Sequence, residues 1–233
     1  MSRIPYERAL IIGAGTGISA ALTRQLRAAG LAVALAARDT EKLAGLVQET
    51  GARAFSADAA DPASVEALFR KVDEAIGAPD VVIYNASGRV RGPLAQLDPA
   101  SVRQSLEVTA FGGFLAVREA AKRMEPQGQG AILITGASAS IKGFAQSAPF
   151  AMGKFALRGL AQSAARELGP KGIHVAHINI DGGVRSAARP EPAGAPDSML
   201  DPEAIAETYL DLLRQKRSAW SFEVELRPWV ETF

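Results

Sequence analysis

Residues 8–19 read Arg8-Ala9-Leu10-Ile11-Ile12-Gly13-Ala14-Gly15-Thr16-Gly17-Ile18-Ser19, and this stretch decides the fold. Residues 9–12 are apolar without interruption, as in a strand buried on both faces. Glycines follow at once, and a segment of helical period begins at Ile18. A strand, a glycine-rich turn and a helix in that order make a phosphate site. Glycines let the backbone come close, and the helix N-terminus offers free N–H donors and the positive end of its dipole. The spacing fits Gly-x-x-x-Gly-x-Gly, with Gly13 and Gly17 in place and Ser19 at the last position. A tight strand–helix turn needs glycine for packing too, so the flanking strand and helix are what favour a dinucleotide.

The same alternation continues outward. Residues 32–35, 81–83, 131–134 and 173–176 are further short aliphatic runs, and segments of helical period fill 18–29, 40–49, 62–76, 99–124, 150–168 and 202–215. Asp61-Pro62, Asp98-Pro99 and Asp201-Pro202 mark helix starts, since Asp caps free N–H groups and Pro at the first position loses no hydrogen bond. Gly30, Gly51, Gly77 and Gly169 follow helical segments, where a left-handed C-cap is easiest for glycine. The pattern predicts an α/β fold over residues 1–233: a single Rossmann-like domain, a doubly wound parallel sheet of about seven strands with helices on both faces, and ligands at the carboxyl ends of the strands. Residues 187–196, rich in Pro and Ala, suggest a mobile surface loop beside the ligand crevice, spanning about 185–200.

Composition narrows the function. The 233 residues carry 26 Lys+Arg against 25 Asp+Glu, and 48% are hydrophobic. This excludes intrinsic disorder and gives no electrostatic reason to expect nucleic acid or an anionic membrane. Absence of cysteine excludes disulfides, thiolate zinc sites and cysteine nucleophiles. The longest apolar run, 31–37, is too short to cross a bilayer, and residues 1–5 carry no apolar leader run; a soluble cytoplasmic protein is expected. His174 and His177, three apart on a strand, face opposite ways, so no metal site is expected. The basic run 214–217 ends a helix, where cations complement the dipole.

Three further pieces are specific. Tyr84-Asn85-Ala86-Ser87 ends the fourth strand, Phe150-Ala151-Met152-Gly153-Lys154 opens a helix, and Asp181-Gly182-Gly183-Val184-Arg185-Ser186 follows the sixth strand. In order and spacing the chain resembles the short-chain dehydrogenase/reductase family, which carries Asn-Asn-Ala-Gly, Tyr-x-x-x-Lys and Pro-Gly-x-Val-x-Thr at these places. The likeness runs from about Arg8 to the last strand. It implies hydride transfer between a nicotinamide dinucleotide and a small or medium carbonyl or alcohol. Gly13, Gly15, Thr16, Gly17 and Ile18 would hold the pyrophosphate, Asp58 the adenine amino group, and Asn85 and Ala86 the end of the fourth strand against the cofactor. Lys154 would bind the ribose, and Gly182 and Val184 would hold the nicotinamide carboxamide. An NAD site places an acid at the end of the second strand; here Ala37 is followed by Arg38. A guanidinium suits a 2′-phosphate, so NADP(H) is expected over NAD(H).

The family's catalytic set is altered. Lys154 stands one turn after position 150 on the same helix face, but position 150 is Phe, which has no proton to give. The family asparagine falls on Thr109. The family serine falls on Ala137, with Ser138 adjacent and Ser140 a poorer candidate. Lys154, Ser138 or an ordered water would then move the proton, with Tyr84 a remote substitute. Phe111, Phe114, Phe144 and Met152 suit either an apolar substrate pocket or the core, and the first reading predicts an apolar substrate. Resemblance further implies a homodimer or homotetramer through helices 99–124 and 150–168, with Trp220 and Trp229 as interface anchors. Two functions stay open: an NADP(H)-dependent oxidoreductase with an atypical proton site, or a catalytically silent NADP(H)-binding sensor or scaffold. A lyase or isomerase using the cofactor structurally is a third.

Overall fold

Aliphatic runs and helical segments assemble in sequence order in the computed structural model, which describes residues 3–232. Strands β1 (Arg8–Ile12), β2 (Ala32–Ala37), β3 (Arg53–Ser56), β4 (Val81–Tyr84), β5 (Gly130–Thr135), β6 (Ile173–Ile180) and β7 (Glu223–Leu226) form one sheet in the order β3-β2-β1-β4-β5-β6-β7. Every pairing is parallel. Ile12 lies beside Ala36 of β2 and Tyr84 of β4. The chain reverses its direction of travel there, opening a crevice at the carboxyl ends of β1 and β4.

The two sheet faces follow from the two-residue period of a strand. Along β1, Ala9 and Ile11 join the core layer under helices α1 (Ile18–Ala28) and α7 (Pro202–Arg214), while Leu10 and Ile12 join the opposite layer. That second layer packs α3 (Pro62–Ile76), α5 (Gly112–Met124) and α6 (Ala148–Leu168). Asp61, Asp98 and Asp201 cap α3, α4 (Pro99–Leu106) and α7, each accepting from backbone N–H groups of the first turn. Among the described residues no helix is long and apolar enough to cross a membrane. Met1 and Ser2 of the leader reading, and Phe233, lie outside the described residues.

Several boundaries differ from the sequence reading for physical reasons. Helix 40–49 divides into a 3-10 turn (Glu41–Leu43) and α2 (Ala44–Thr50). Helix 99–124 is interrupted by a π-helical turn (Glu107–Phe111) between α4 and α5. A π turn loosens the carbonyl ladder, and the Tyr84 hydroxyl donates to the Val108 carbonyl there. β6 runs four residues past Ala176, through His177 and Asn179, because β7 supplies polar partners. Glu223 meets His177 Nδ1 at 3.2 Å, and Glu225 accepts from Asn179 Nδ2 at 2.6 Å. Gly169 is not a left-handed cap: its φ is −55°, the chain tightens into a 3-10 turn with Pro170, and Gly172 takes the positive φ of 83°. Trp220 packs inside its own chain rather than on a free surface. Its ring stacks on His174 at 4.8 Å and its N–H donates to Gln215 O; Trp229 is exposed.

Candidate active site

At the end of β1 the chain must turn beneath β4. Gly13 has φ +86°, and a Cβ there would stand 2.3 Å from Ala86 N, so glycine alone fits. The Ser19 hydroxyl donates to Gly13 O at 3.2 Å, and Asn85 Nδ2 donates to Ser19 Oγ at 2.7 Å. This chain of bonds ties the end of β4 to the turn. Gly15 and Gly17 are different: a Cβ at either meets nothing within 4 Å. No side chain caps α1, and among the described residues the N–H groups of Gly15, Thr16 and Gly17 find no protein acceptor. An open cradle of free donors at a helix start fits a pyrophosphate.

Beside the turn, a cavity of about 360 Å³ is lined by Gly13, Arg38, Lys42, Asp58, Asn85 and Ala86 among others. Arg38 stands one residue beyond β2. Lys42, which sequence reasoning missed, joins it while pairing with Asp39 at 3.0 Å. Four residues after Arg38, on the approach to a helix, it was findable as a second cation. Asp58 lies two residues past β3 rather than at its end, and its carboxylate accepts from Ala60 N at 2.9 Å. This donor and acceptor set fits a dinucleotide: the N–H cradle for phosphates, Arg38 and Lys42 for a further phosphate.

A second cavity, about 590 Å³, opens at the carboxyl ends of β4, β5 and β6. It brings together Ile18, Asn85, Ser138, Phe150, Lys154, Gly182 and Val184. Lys154 is buried; its Nζ donates to Thr135 O at 2.7 Å and lies 5.8 Å from the Phe150 ring centre. Burial pushes its pKa down to about 8. The ammonium is therefore a far better acid near neutral pH than an ordinary lysine. Ser138 opens a 3-10 turn and lines the same cavity. The Ser140 hydroxyl is committed elsewhere, accepting from Ala137 N at 3.1 Å.

Other candidates lie apart from this cavity. Tyr84 is fully buried, bonded to Val108 O, and its pKa is raised by burial and then by Asp58; it is no substitute acid. Thr109 is fully buried as well, and its Oγ1 accepts from Gly88 N at 2.8 Å, pinning the loop after β4. Of the aromatic and Met candidates only Phe144 lines the cavity. Phe111, Phe114 and Met152 are exposed on the outer helix surfaces. The sequence reading missed Arg89, Arg91 and Arg189, which line the same space. Behind Gly136 of its wall stands His177 of β6, with its pKa pushed down to about 4 by burial, chiefly, and by Lys154 and Arg158. It is neutral at pH 7 and places no second cation beside Lys154.

The sequence model described as short chain dehydrogenase matches residues 7–191. Sorbitol-6-phosphate 2-dehydrogenase of Escherichia coli strain K12 is 30% identical over 219 residues, spanning 90% of this chain and 85% of that enzyme. The crystal structure of a short-chain dehydrogenase from Rhodopseudomonas palustris shares 37% identity at a TM-score of 0.82, covering 96% of this chain and 99% of that one. A metagenomic short-chain oxidoreductase solved in complex with NADP shares 29% identity at a TM-score of 0.84, covering 95% of this chain and 97% of that one.

Proposed function

The chain belongs to the short-chain dehydrogenase family, and from that premise we propose that it is an NADP(H)-dependent oxidoreductase of a small or medium carbonyl or alcohol in which Lys154, not a tyrosine, moves the proton. The carrying observation is that Lys154, Ser138 and Asn85 line one cavity with Phe150, beside the glycine cradle. A bound nicotinamide dinucleotide supplies or accepts the hydride. The chain's residues do the rest. Gly15, Thr16 and Gly17 offer N–H donors to phosphates, Ser138 offers a hydroxyl to the substrate oxygen, and Lys154 gives or takes the proton at Nζ. Phe144 and Phe150 make the apolar part of the substrate wall.

NADP(H) preference rests on Arg38 and Lys42 lining the first cavity with Ala37 in place of an acid. A charge-assisted hydrogen bond is worth about 1.5–3 kcal/mol, or roughly 10–100-fold in affinity. Titration of the protein with NADPH and NADH, followed by nicotinamide fluorescence, should show NADPH binding the more tightly. Arg38→Ala should weaken NADPH by that factor and leave NADH unchanged. Equal wild-type affinities would remove the 2′-phosphate reading, and no binding of either would remove the oxidoreductase reading.

The absence of tyrosine at position 150 favours one second reading, a silent NADP(H)-binding sensor or scaffold. Multiple turnovers on any carbonyl would end it.

Phe111 and Phe114, stacked at 6.0 Å, and Phe155 of α6 are exposed apolar side chains of the π turn, α5 and α6. We read them as the contact of a homodimer or homotetramer, since clustered exposed aromatic side chains mark interaction surfaces. Sedimentation velocity should give the oligomer for the wild type and a species near 24.4 kDa for Phe155→Glu. A wild-type monomer would refute the assignment.

A further inference from the structure

The loop after β4 is held at both ends. Gly88 N–H donates to Thr109 Oγ1 at 2.8 Å, and Gly92 N–H donates to Gln146 O at 3.1 Å. Between these pins stand Arg89 and Arg91. Arg89 lays its guanidinium over the Phe150 ring, 4.9 Å from its centre. Arg189 enters the same cavity from the 185–200 loop, which leaves and returns through the paired residues Val184 and Leu200. Its guanidinium lies across Gly183, where a Cβ would meet it at 2.8 Å.

Three guanidinium groups thus converge on the wall that also carries Lys154. No Asp or Glu among the described residues lines this cavity. Among the described residues none of the three donates a side-chain hydrogen bond to the protein or forms an ion pair. Elsewhere in the chain arginines find acids: Arg123 holds Asp73 and Glu119, and Arg158 holds Glu223. Like charges so arranged repel, and Arg89 shows it: burial, then Arg91 and Arg189, lower its pKa. An uncompensated set of planar donors is what bidentate binding of a carboxylate or phosphate uses. A bound dinucleotide's own phosphates would have other partners, at the glycine cradle and, on the NADP(H) reading, at Arg38.

We propose that Arg89, Arg91 and Arg189 form an anion site for the substrate, which carries a carboxylate or phosphate at one end and presents its carbonyl or alcohol to Lys154 and Ser138 from the other. The reaction at that carbon rests on the oxidoreductase reading; the anion site rests on the cavity.

Matched substrate pairs test it. With NADPH, kcat/KM is measured for acetoacetate against ethyl acetoacetate, and for dihydroxyacetone phosphate against dihydroxyacetone. The anionic member of at least one pair should exceed its neutral partner by tenfold or more. In Arg89→Gln/Arg91→Gln, and separately in Arg189→Gln, that ratio should fall toward one. Folding of each variant is checked by its melting temperature, and the two variants sit on different loops, so one misfolded protein does not spoil the test. Neutral partners turned over as well as the anions in both pairs, or equal losses on anion and neutral partner in the arginine variants, would overturn the proposal.

If no pair turns over, calorimetry on the NADP-saturated protein with acetoacetate and with inorganic phosphate decides. Saturable binding that the arginine variants lose upholds the anion site while the oxidoreductase reading falls. No binding, or binding abolished by saturation with NADP, overturns the anion site.

Discussion

Phe150→Tyr is expected to raise kcat for carbonyl reduction by about 10²–10⁴-fold, the usual contribution of a positioned general acid. The ring is already in place. It lies 5.8 Å from Lys154 Nζ and under the Arg89 guanidinium, and tyrosine keeps both contacts while adding a hydroxyl toward the cavity. Affinity for NADPH should change far less than kcat, because position 150 does not line the cavity that holds Gly13, Arg38 and Lys42. The wild type should betray its substitute acid through pH. Only the ammonium form of Lys154 donates, and its pKa is pushed down to about 8. The wild-type reduction rate should therefore fall as pH rises through that value. Lys154→Met should abolish activity in the wild-type and Phe150→Tyr backgrounds. If Phe150→Tyr were no faster than wild type across a panel that the wild type turns over, position 150 would not be where the proton moves.

That experiment joins two kinds of information of unequal legibility. Parallel strands, Asp-Pro caps and the glycine turn could be read from the sequence because each is a local rule: an apolar run, a capping side chain, a tight turn. The π turn at Glu107–Phe111 was not legible, since it depends on Tyr84 reaching Val108 from another element. Nor was the end of β6, where His177 and Asn179 look like a loop until Glu223 and Glu225 lie alongside. The cofactor side of the site was mostly readable because its motif is contiguous. The substrate side was not. Arg89, Arg91 and Arg189 come from loops about a hundred residues apart, and only the fold shows that they share one cavity from which acids are missing.

The glycine turn yields the second large effect, and it separates folding from binding. Gly13→Ala places a methyl 2.3 Å from Ala86 N and 2.5 Å from Ala86 Cα, both backbone atoms of the segment that follows β4, at φ +86°. The positive φ costs roughly 1–3 kcal/mol for a non-glycine residue, and overpacking a fixed neighbour adds roughly 1–3 kcal/mol. Against a typical stability of about 5–15 kcal/mol, the urea midpoint should drop steeply and much of the protein should be lost to misfolding. Gly15→Ala and Gly17→Ala differ in kind, since their methyl groups meet nothing within 4 Å in the protein. Their urea midpoints should match the wild type, and a small gain is expected where alanine narrows the unfolded ensemble. NADPH affinity should nevertheless fall at least tenfold, because each methyl fills space that the free N–H groups of the turn leave for phosphate. Chemical denaturation and NADPH titration on the three variants draw the line. If Gly15→Ala and Gly17→Ala bound NADPH as tightly as the wild type, the cradle would not be the phosphate site, and the open turn before α1 would be packing alone.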